Sequence, residues 1–429
     1  MALTTRAAAL VLLGILPVVL WPDAGLALPW LALVLVLLVV DIALAASPKA
    51  MALTREGADQ VRLGESTTTS VVALNTGRRT ARGLFRDGWP PSAGTSPSRQ
   101  ALSVPPGERR RLTTTLTPTR RGDRHADRVT LRLLGPLRLA GRQRSVEVPG
   151  RVRVLHPFPS RKHLPSRLAV LRELDGRAAV RTRGQGTEFD SLRDYVDGDD
   201  VRSIDWRATA RRRNLVVRTW QPEQHRRIVI VVDTGRTSAG RVGDTPRLDA
   251  AMDSALLLTA LAGHAHDRVH VVAGDRRVRV RVSGSDRAAL LHDVISTLAP
   301  VDAQLVEADW SVLAAEVARS THRSLVVLLT PLEPAAVEEG LMPVLPALVA
   351  HHRVVVASVS DPAIDAMRAD RDGSRAVWGA AAAERTMARR AATAEALGRL
   401  GVDVIDAPPD QLPVRLADHY LALKRQGLL

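Results

Sequence analysis

Two long apolar runs open the chain, and beyond them the pattern of hydrophobic and polar positions changes twice. Ala7 to Trp21 and Leu26 to Ala46 are almost free of charge, with Trp21-Pro22-Asp23-Ala24-Gly25 between them. About 20 apolar residues span a bilayer core. The second run meets that length, and the first does so only with help from Met1 to Arg6. Pro17 is tolerated inside a membrane helix, and Trp21 and Trp30 flank the turn, where interfacial aromatics belong. The pattern predicts a transmembrane helical hairpin over residues 1–49. A cleaved leader ending near Gly25-Leu26-Ala27 is the competing interpretation, which the second long run opposes. Asp41, near the end of the second helix, is expected at the interface with its carboxylate reaching water.

Residues 50–160 carry short β-prone runs: Val61-Arg62-Leu63, then 67–74, 111–116, 129–134 and 146–154. Asn75-Thr76-Gly77 and Pro105-Pro106-Gly107 punctuate them as turns. This spacing predicts a small β-sandwich of immunoglobulin-like kind. From residue 226 to 429 strands and helices alternate. Ile228 to Val232 is a continuous β-branched run, as a central parallel strand requires. Helices are expected over 248–264, 288–298, 310–319, 335–350, 380–400 and 413–424, and further strands over 269–273, 278–282, 325–329, 354–359 and 402–405. That is a doubly wound α/β domain. The chain of 429 residues is therefore expected to be multidomain, divided as 1–49, 50–160, 161–225 and 226–429.

Charge refines the picture. All but Lys49, Lys162 and Lys424 of the 60 basic residues are arginine, and the formal net charge is +15. Residues 55–162 hold 22 basic against 8 acidic side chains, so nearly the whole excess lies there. A strongly basic domain invites a nucleic-acid hypothesis. This one directly follows the apolar hairpin, where anionic headgroups attract arginine. Its aromatics, Phe85, Trp89 and Phe158, are too few for a base-stacking platform. A membrane surface is the expected partner and nucleic acid is not. Arg6 before the hairpin and Lys49, Arg55 and Arg62 after it, against Asp23 in the turn, place the soluble domains in the cytoplasm of a multi-pass cell-membrane protein.

The absence of cysteine excludes a disulfide scaffold, thiolate metal sites and a thiol nucleophile. No phosphate-binding Gly-x-x-x-x-Gly-Lys-[Ser/Thr] loop occurs, and no Gly-x-Ser-x-Gly elbow. His264 and His266 fall on different faces of a helix, and His351-His352 ends another. Neither pair predicts a metal.

One segment stands apart. Gly186-Thr187-Glu188-Phe189-Asp190-Ser191-Leu192-Arg193-Asp194-Tyr195 leads through Gly198-Asp199 to Arg202-Ser203-Ile204-Asp205-Trp206 and Ala208-Thr209-Ala210-Arg211. Acidic and basic side chains alternate, with Phe189, Leu192, Tyr195, Ile204 and Trp206 as expected buried anchors. Arg–carboxylate forks are directional and bidentate. Two roles fit: a docking surface built from Arg193, Asp199, Arg202 and Asp205, or a charged clasp that pins an irregular segment.

The run Gly186-x-Glu188-Phe189-x-x-Leu192-Arg193-x-Tyr195-x-x-Gly198-Asp199, with Arg202-x-Ile204-Asp205-Trp206 and Ala208-x-Ala210-Arg211, resembles the signature of the bacterial domain-of-unknown-function family numbered fifty-eight. The resemblance covers nearly the whole chain in order. It implies two membrane helices, a β-rich region, this motif, a von Willebrand factor A-like domain and frequent genetic association with a MoxR-type AAA+ ATPase. An A domain of that kind would place Asp-x-Ser-x-Ser after its first strand as oxygen ligands for Mg²⁺, completed by a Thr and an Asp from later loops. A hard cation needs several such oxygens. Here Asp233 and Thr237 match, Gly235 replaces the first hydroxyl, residues 300–310 hold no Thr, and Thr330-Pro331-Leu332-Glu333 stands where the second Asp belongs. Ser238 and Glu333 are the available substitutes. A degenerate site without resident metal is expected, or Asp233 capping its own turn.

The function expected on these grounds is a membrane-anchored, non-enzymatic adaptor that docks a MoxR-type ATPase or its client and has no cofactor. A Mg²⁺-dependent ligand binder or enzyme at Asp233, and a nucleic-acid binder through residues 55–162, are the alternatives.

Overall fold

The computed structural model describes residues 2–15, 25, 27–57, 59–181, 188–212, 214–221, 226–284, 286–320 and 322–429. They form two compact units, Met1–Pro157 and Phe158–Leu429. In the first, helix α1 spans Thr5–Leu13 and helix α2 spans Ala27–Leu44. Only α2 contains, among the described residues, a stretch long and apolar enough to cross a membrane, with a mean hydropathy of 2.6. Leu28, Leu31, Leu35 and Val39 are all exposed. A helix apolar all round yet open along its surface is suited to lipid, not water. The two helices touch where the Trp30 indole donates to the Leu10 carbonyl at 3.3 Å. Residues 16–21 of the first apolar run and 22–24 of the turn lie outside the described residues.

The end of α2 corrects the expectation for Asp41. Its side chain is fully buried and accepts backbone N–H bonds from Leu137 and Leu139 at 2.8 Å and from Ala140 at 2.9 Å. Arg142 donates to the Ile42 carbonyl and Arg79 to that of Ala43. These guanidinium groups satisfy carbonyls that a helix C-terminus leaves without partners. Gly135 is required in the same turn, because a Cβ there would come within 2.2 Å of Asp41. Burial of Asp41 is thus supported by three donors, and its role is to clamp the helix to a β-turn.

That turn belongs to a β-sandwich. Strands β1 (Met51–Gly57), β2 (Thr67–Asn75), β3 (Ala81–Gly88), β4 (Gln100–Val104), β5 (Arg109–Leu116), β6 (Gly122–Leu134) and β7 (Ala140–Leu155) build two sheets. One runs β1-β2-β5 with a two-residue edge at Thr95–Ser96, and the other runs β7-β6-β3-β4. Val71, Ala73 and Leu112 from the first meet Phe85, Leu102, Val129, Leu131 and Leu133 from the second. Strands β6 and β7 are longer than their hydrophobic runs, because their polar ends keep the antiparallel ladder. Arg55, counted in the basic segment and in the positive-inside balance, has a side chain only 9% exposed. Its guanidinium grips both oxygens of Asp87 at 2.9 and 2.7 Å, and the Trp89 indole donates to the same carboxylate.

In the second unit, helix α3 (Leu164–Arg181) precedes a two-stranded hairpin of β8 (Glu188–Asp194) and β9 (Val216–Gln221), with the short helix α4 (Trp206–Arg212) between them. There follow β10 (Arg227–Asp233), α5 (Arg247–His264), β11 (Arg268–Gly274), β12 (Val278–Gly284), α6 (Arg287–Leu298), α7 (Trp310–Ala318) and β13 (Leu325–Leu329). The chain closes with α8 (Leu345–His351), β14 (Arg353–Val359), α9 (Pro362–Ala369), α10 (Ser374–Arg399), β15 (Asp403–Ala407) and α11 (Leu412–Gln426). The six strands are ordered β12-β11-β10-β13-β14-β15, all parallel except the β11–β12 pair. Helix α5 is buried along nearly its whole length and packs on one face of the sheet with α11. Helices α7 and α8 cover the other, where Val229, Val231, Val272, Val326 and Val356 meet Trp310, Leu313 and Leu348.

Two helix boundaries differ from expectation. The helix expected over 335–350 is broken into Pro334–Ala336, a π turn at Val337–Leu341, and α8. Pro343 and Pro346 remove the backbone donors that a continuous helix would need. Helix α10 starts at Ser374, six residues early, because Gly373 (φ 88°) supplies the turn before it.

Candidate functional site

The signature hairpin spends Arg193, Asp199 and Asp205 on itself. Arg193 on β8 grips both oxygens of Asp199 at 2.7 and 2.6 Å, and Asp199 also accepts the Val196 N–H at 3.0 Å. Between them Gly198 adopts φ 107°, a conformation that costs glycine nothing. Asp205 caps α4 by accepting the N–H groups of Arg207 and Ala208, and its second oxygen takes Arg218 of β9 at 2.8 Å. The arginine bond holds the Asp199 carboxyl below the usual carboxylate range. For Asp205 the Ala208 N–H lowers it most, followed by Arg218. Both carboxylates are therefore committed as ionised clasps.

Leu192, Tyr195 and Ile204 are half-buried. Trp206 is not the buried anchor that its type suggests: it is 69% exposed. The Asp205 cap makes Trp206 the first residue of α4, and among the described residues its side chain stays open. Val196 (62%) and Val201 (64%) are as open, and Leu215 also stands exposed. Arg202 and Arg211 are exposed. Glu188 and Phe189 pair through their backbones with Gln221 and Trp220, and Gly186 lies outside the described residues. Sequence reasoning singled out the charges and missed Val196, Val201 and Leu215. Their apolar character in a hydrophilic segment was the available signal.

A second site lies at the carboxyl end of β10, where ligands bind in open α/β sheets. Asp233 is buried. Its Oδ1 accepts the Gly235 N–H at 2.7 Å, and its Oδ2 accepts hydroxyls from Thr330 at 2.8 Å and Thr237 at 3.3 Å. Burial pushes this carboxyl above its ordinary range, against those hydrogen bonds. Thr237 is thus brought to Asp233 as expected, but as a donor to the carboxylate. A hard cation needs several oxygen ligands, and in this arrangement Thr237 and Thr330 direct their hydroxyls at the Asp233 carboxylate itself. The position of the missing serine is tight. A Cβ on Gly235 would lie 2.9 Å from Asp233 Oδ1 and 3.0 Å from the Val306 carbonyl, so the missing serine could not simply be restored. Glu333 is taken up by Arg247 at 2.8 Å, and Ser238 is buried on the adjoining turn. The donor set does not fit a hard cation. Among the described residues no group of three or more His, Asp or Glu is placed to hold a metal. A cavity of about 250 Å³ opens beside Asp233, bounded by Arg236, Glu307, Trp310 and Glu339.

The described chain is thus a multidomain protein with one membrane-length helix, a β-sandwich and an α/β domain that carries a self-clasped hairpin. Residues 191–395 match the family model described as "Protein of unknown function DUF58". No curated protein matches the chain. Among solved structures it is similar to an aerotolerance-related membrane protein of Bacteroides fragilis NCTC 9343, at 13% identity over 46% of this chain and 98% of that one, with a TM-score of 0.30. The conserved hypothetical protein BatB of Bacteroides thetaiotaomicron is similar at 14% identity, with the same coverage and TM-score. The CARDB domain of the PF1109 protein from Pyrococcus furiosus matches 24% of this chain and 91% of its own at 20% identity, with a TM-score of 0.18.

Proposed function

We propose that this protein is a membrane-anchored, non-enzymatic adaptor whose signature hairpin docks a protein partner through exposed apolar side chains. The partner is a MoxR-type AAA+ ATPase or that ATPase's client, as the family resemblance implies. In this reading the N-terminal apolar runs form a two-pass hairpin, the positive-inside balance keeps the soluble units cytoplasmic, and the immunoglobulin-like sandwich is a spacer clamped to the membrane helix at Asp41. The C-terminal domain is a von Willebrand factor A-like domain that works without metal or other cofactor.

The observation that carries the proposal is the exposure of Trp206, Val196, Val201 and Leu215 on one hairpin. Tryptophan is enriched at the centres of protein interfaces, and several large apolar side chains held open on one short segment mark an interaction site. The test is crosslinking of a tagged full-length chain in native membranes, followed by capture and mass spectrometry. An AAA+ ATPase or its substrate in the capture supports the adaptor. Nucleic acid, or no such ATPase under any nucleotide condition, overturns it.

A further inference from the structure

At the amino ends of the parallel strands, opposite Asp233, the sheet face beyond the last turn of α7 is left uncovered among the described residues. A basin of about 560 Å³ opens there, rimmed by Arg227, Arg268, His270, Arg281, Glu316 and Arg319. Its size is that of a small-molecule site. Val229 and Val317 contribute an apolar floor.

The rim divides into two halves. Glu316 is buried and holds Arg281 at 2.8 Å and Arg319 at 3.5 Å. The Arg281 bond keeps Glu316 ionised, so this half is a fixed ion cluster. Arg227 and Arg268 are different. They are direct partners in the parallel ladder of β10 and β11, on strands about 4.8 Å apart, and among the described residues no carboxylate meets either one. Like charges set side by side across a ladder destabilise it. A doubly charged oxyanion bridging the two guanidinium groups would relieve that repulsion and use their fork geometry. Burial lowers the pKa of His270, which leaves a neutral imidazole able to accept or donate one hydrogen bond beside it.

We propose that this basin binds a soluble organic phosphate, with the phosphate on Arg227 and Arg268 and an apolar or planar body on the floor formed by Val229 and Val317. The site is separate from Asp233 and does not depend on the adaptor reading.

Isothermal titration of the full chain in detergent, with inorganic phosphate and with phenyl phosphate as probes, tests it. The expected result is saturable one-to-one binding of phenyl phosphate, about tenfold tighter than inorganic phosphate, which corresponds to one decade in Kd. The Arg227→Gln/Arg268→Gln variant should lose at least about tenfold in that affinity while melting no lower than the parent, since the repulsion is gone. Arg268→Gln alone, at an exposed position, serves if the double variant does not fold. Unchanged affinity in the folded variant, or no saturable binding at millimolar probe, overturns the site. Equal affinity for the two probes overturns the assignment of an organic body.

Discussion

Arg193 and Asp199 face each other six residues apart and form a two-point ion pair at 2.7 and 2.6 Å inside the signature hairpin. A guanidinium held on both oxygens of its own loop has little left to offer a partner. The same holds for Asp205, divided between the N-terminus of α4 and Arg218. The charged positions of the signature therefore set the shape of the hairpin. That shape displays Val196, Val201, Trp206 and Leu215, beside the exposed Arg202 and Arg211.

The sandwich contains a more deeply buried counterpart in Arg55 and Asp87, whose side chains are 9% and 3% exposed. Removing one member leaves the other charge without a partner in a dry site, at a cost of about 3–5 kcal/mol. Arg55→Ala is expected to lower the denaturation midpoint of the full chain in detergent by that amount. The Arg55→Met/Asp87→Asn double variant should recover most of it. A loss within the range of ordinary surface substitutions would show that the pair does not bear on stability.

Asp253 predicts a pH effect. It accepts the N–H and hydroxyl of Ser160, yet burial pushes its carboxyl up to about 6. The native state then holds a proton more tightly than the unfolded chain, whose aspartates titrate near about pH 4. Stability contributed by the protonated form is lost as pH rises through that interval, and the charged form is a burden above about pH 6. Asp253→Asn keeps an acceptor for Ser160 without the charge. Its melting temperature is expected to exceed the parent's at pH 8, by up to about 3 kcal/mol in stability, with the gap closing as pH falls below 6. Parallel melting curves across that range would contradict the assignment.

The Asp233 site predicts indifference to metal. Melting temperatures of the full chain in Mg²⁺ and in EDTA are expected to coincide. Gly235→Ser, which restores the hydroxyl of a metal-binding pattern, is expected to destabilise by about 1–3 kcal/mol through overpacking against Asp233 and Val306. A Mg²⁺-dependent gain in stability, in parent or variant, would reverse this view of the site.

Much of the fold could be read directly from the residues, and the misses share a cause. Ile228 to Val232 forms a buried central strand because both of its faces are covered, so its pattern is continuous and unmistakable. Asp41 was misplaced because its partners, Leu137, Leu139 and Ala140, lie nearly a hundred residues away, and no local pattern encodes them. The pairing of Arg55 was invisible for the same reason: its carboxylate, Asp87, is on another strand. Trp206 was expected inside because large aromatics usually are, while the cap that turns it outward depends on Asp205 and the start of α4. At Asp233 the missing hydroxyl at Gly235 was visible, whereas the Thr330 bond that closes the site required the neighbouring strand.

The central claim is that the hairpin's charges build it and its apolar residues dock, and a paired comparison tests this most directly. Full-length Trp206→Ala and Asp205→Ala chains would be measured for melting temperature and for crosslinked partner capture from native membranes. Trp206→Ala is expected to melt within about 0.5 kcal/mol of the parent, as exposed substitutions do, and to lose the captured partner. Asp205→Ala should lower the melting temperature. Full capture by a folded Trp206→Ala chain, or loss of capture by Asp205→Ala at unchanged stability, would contradict the account.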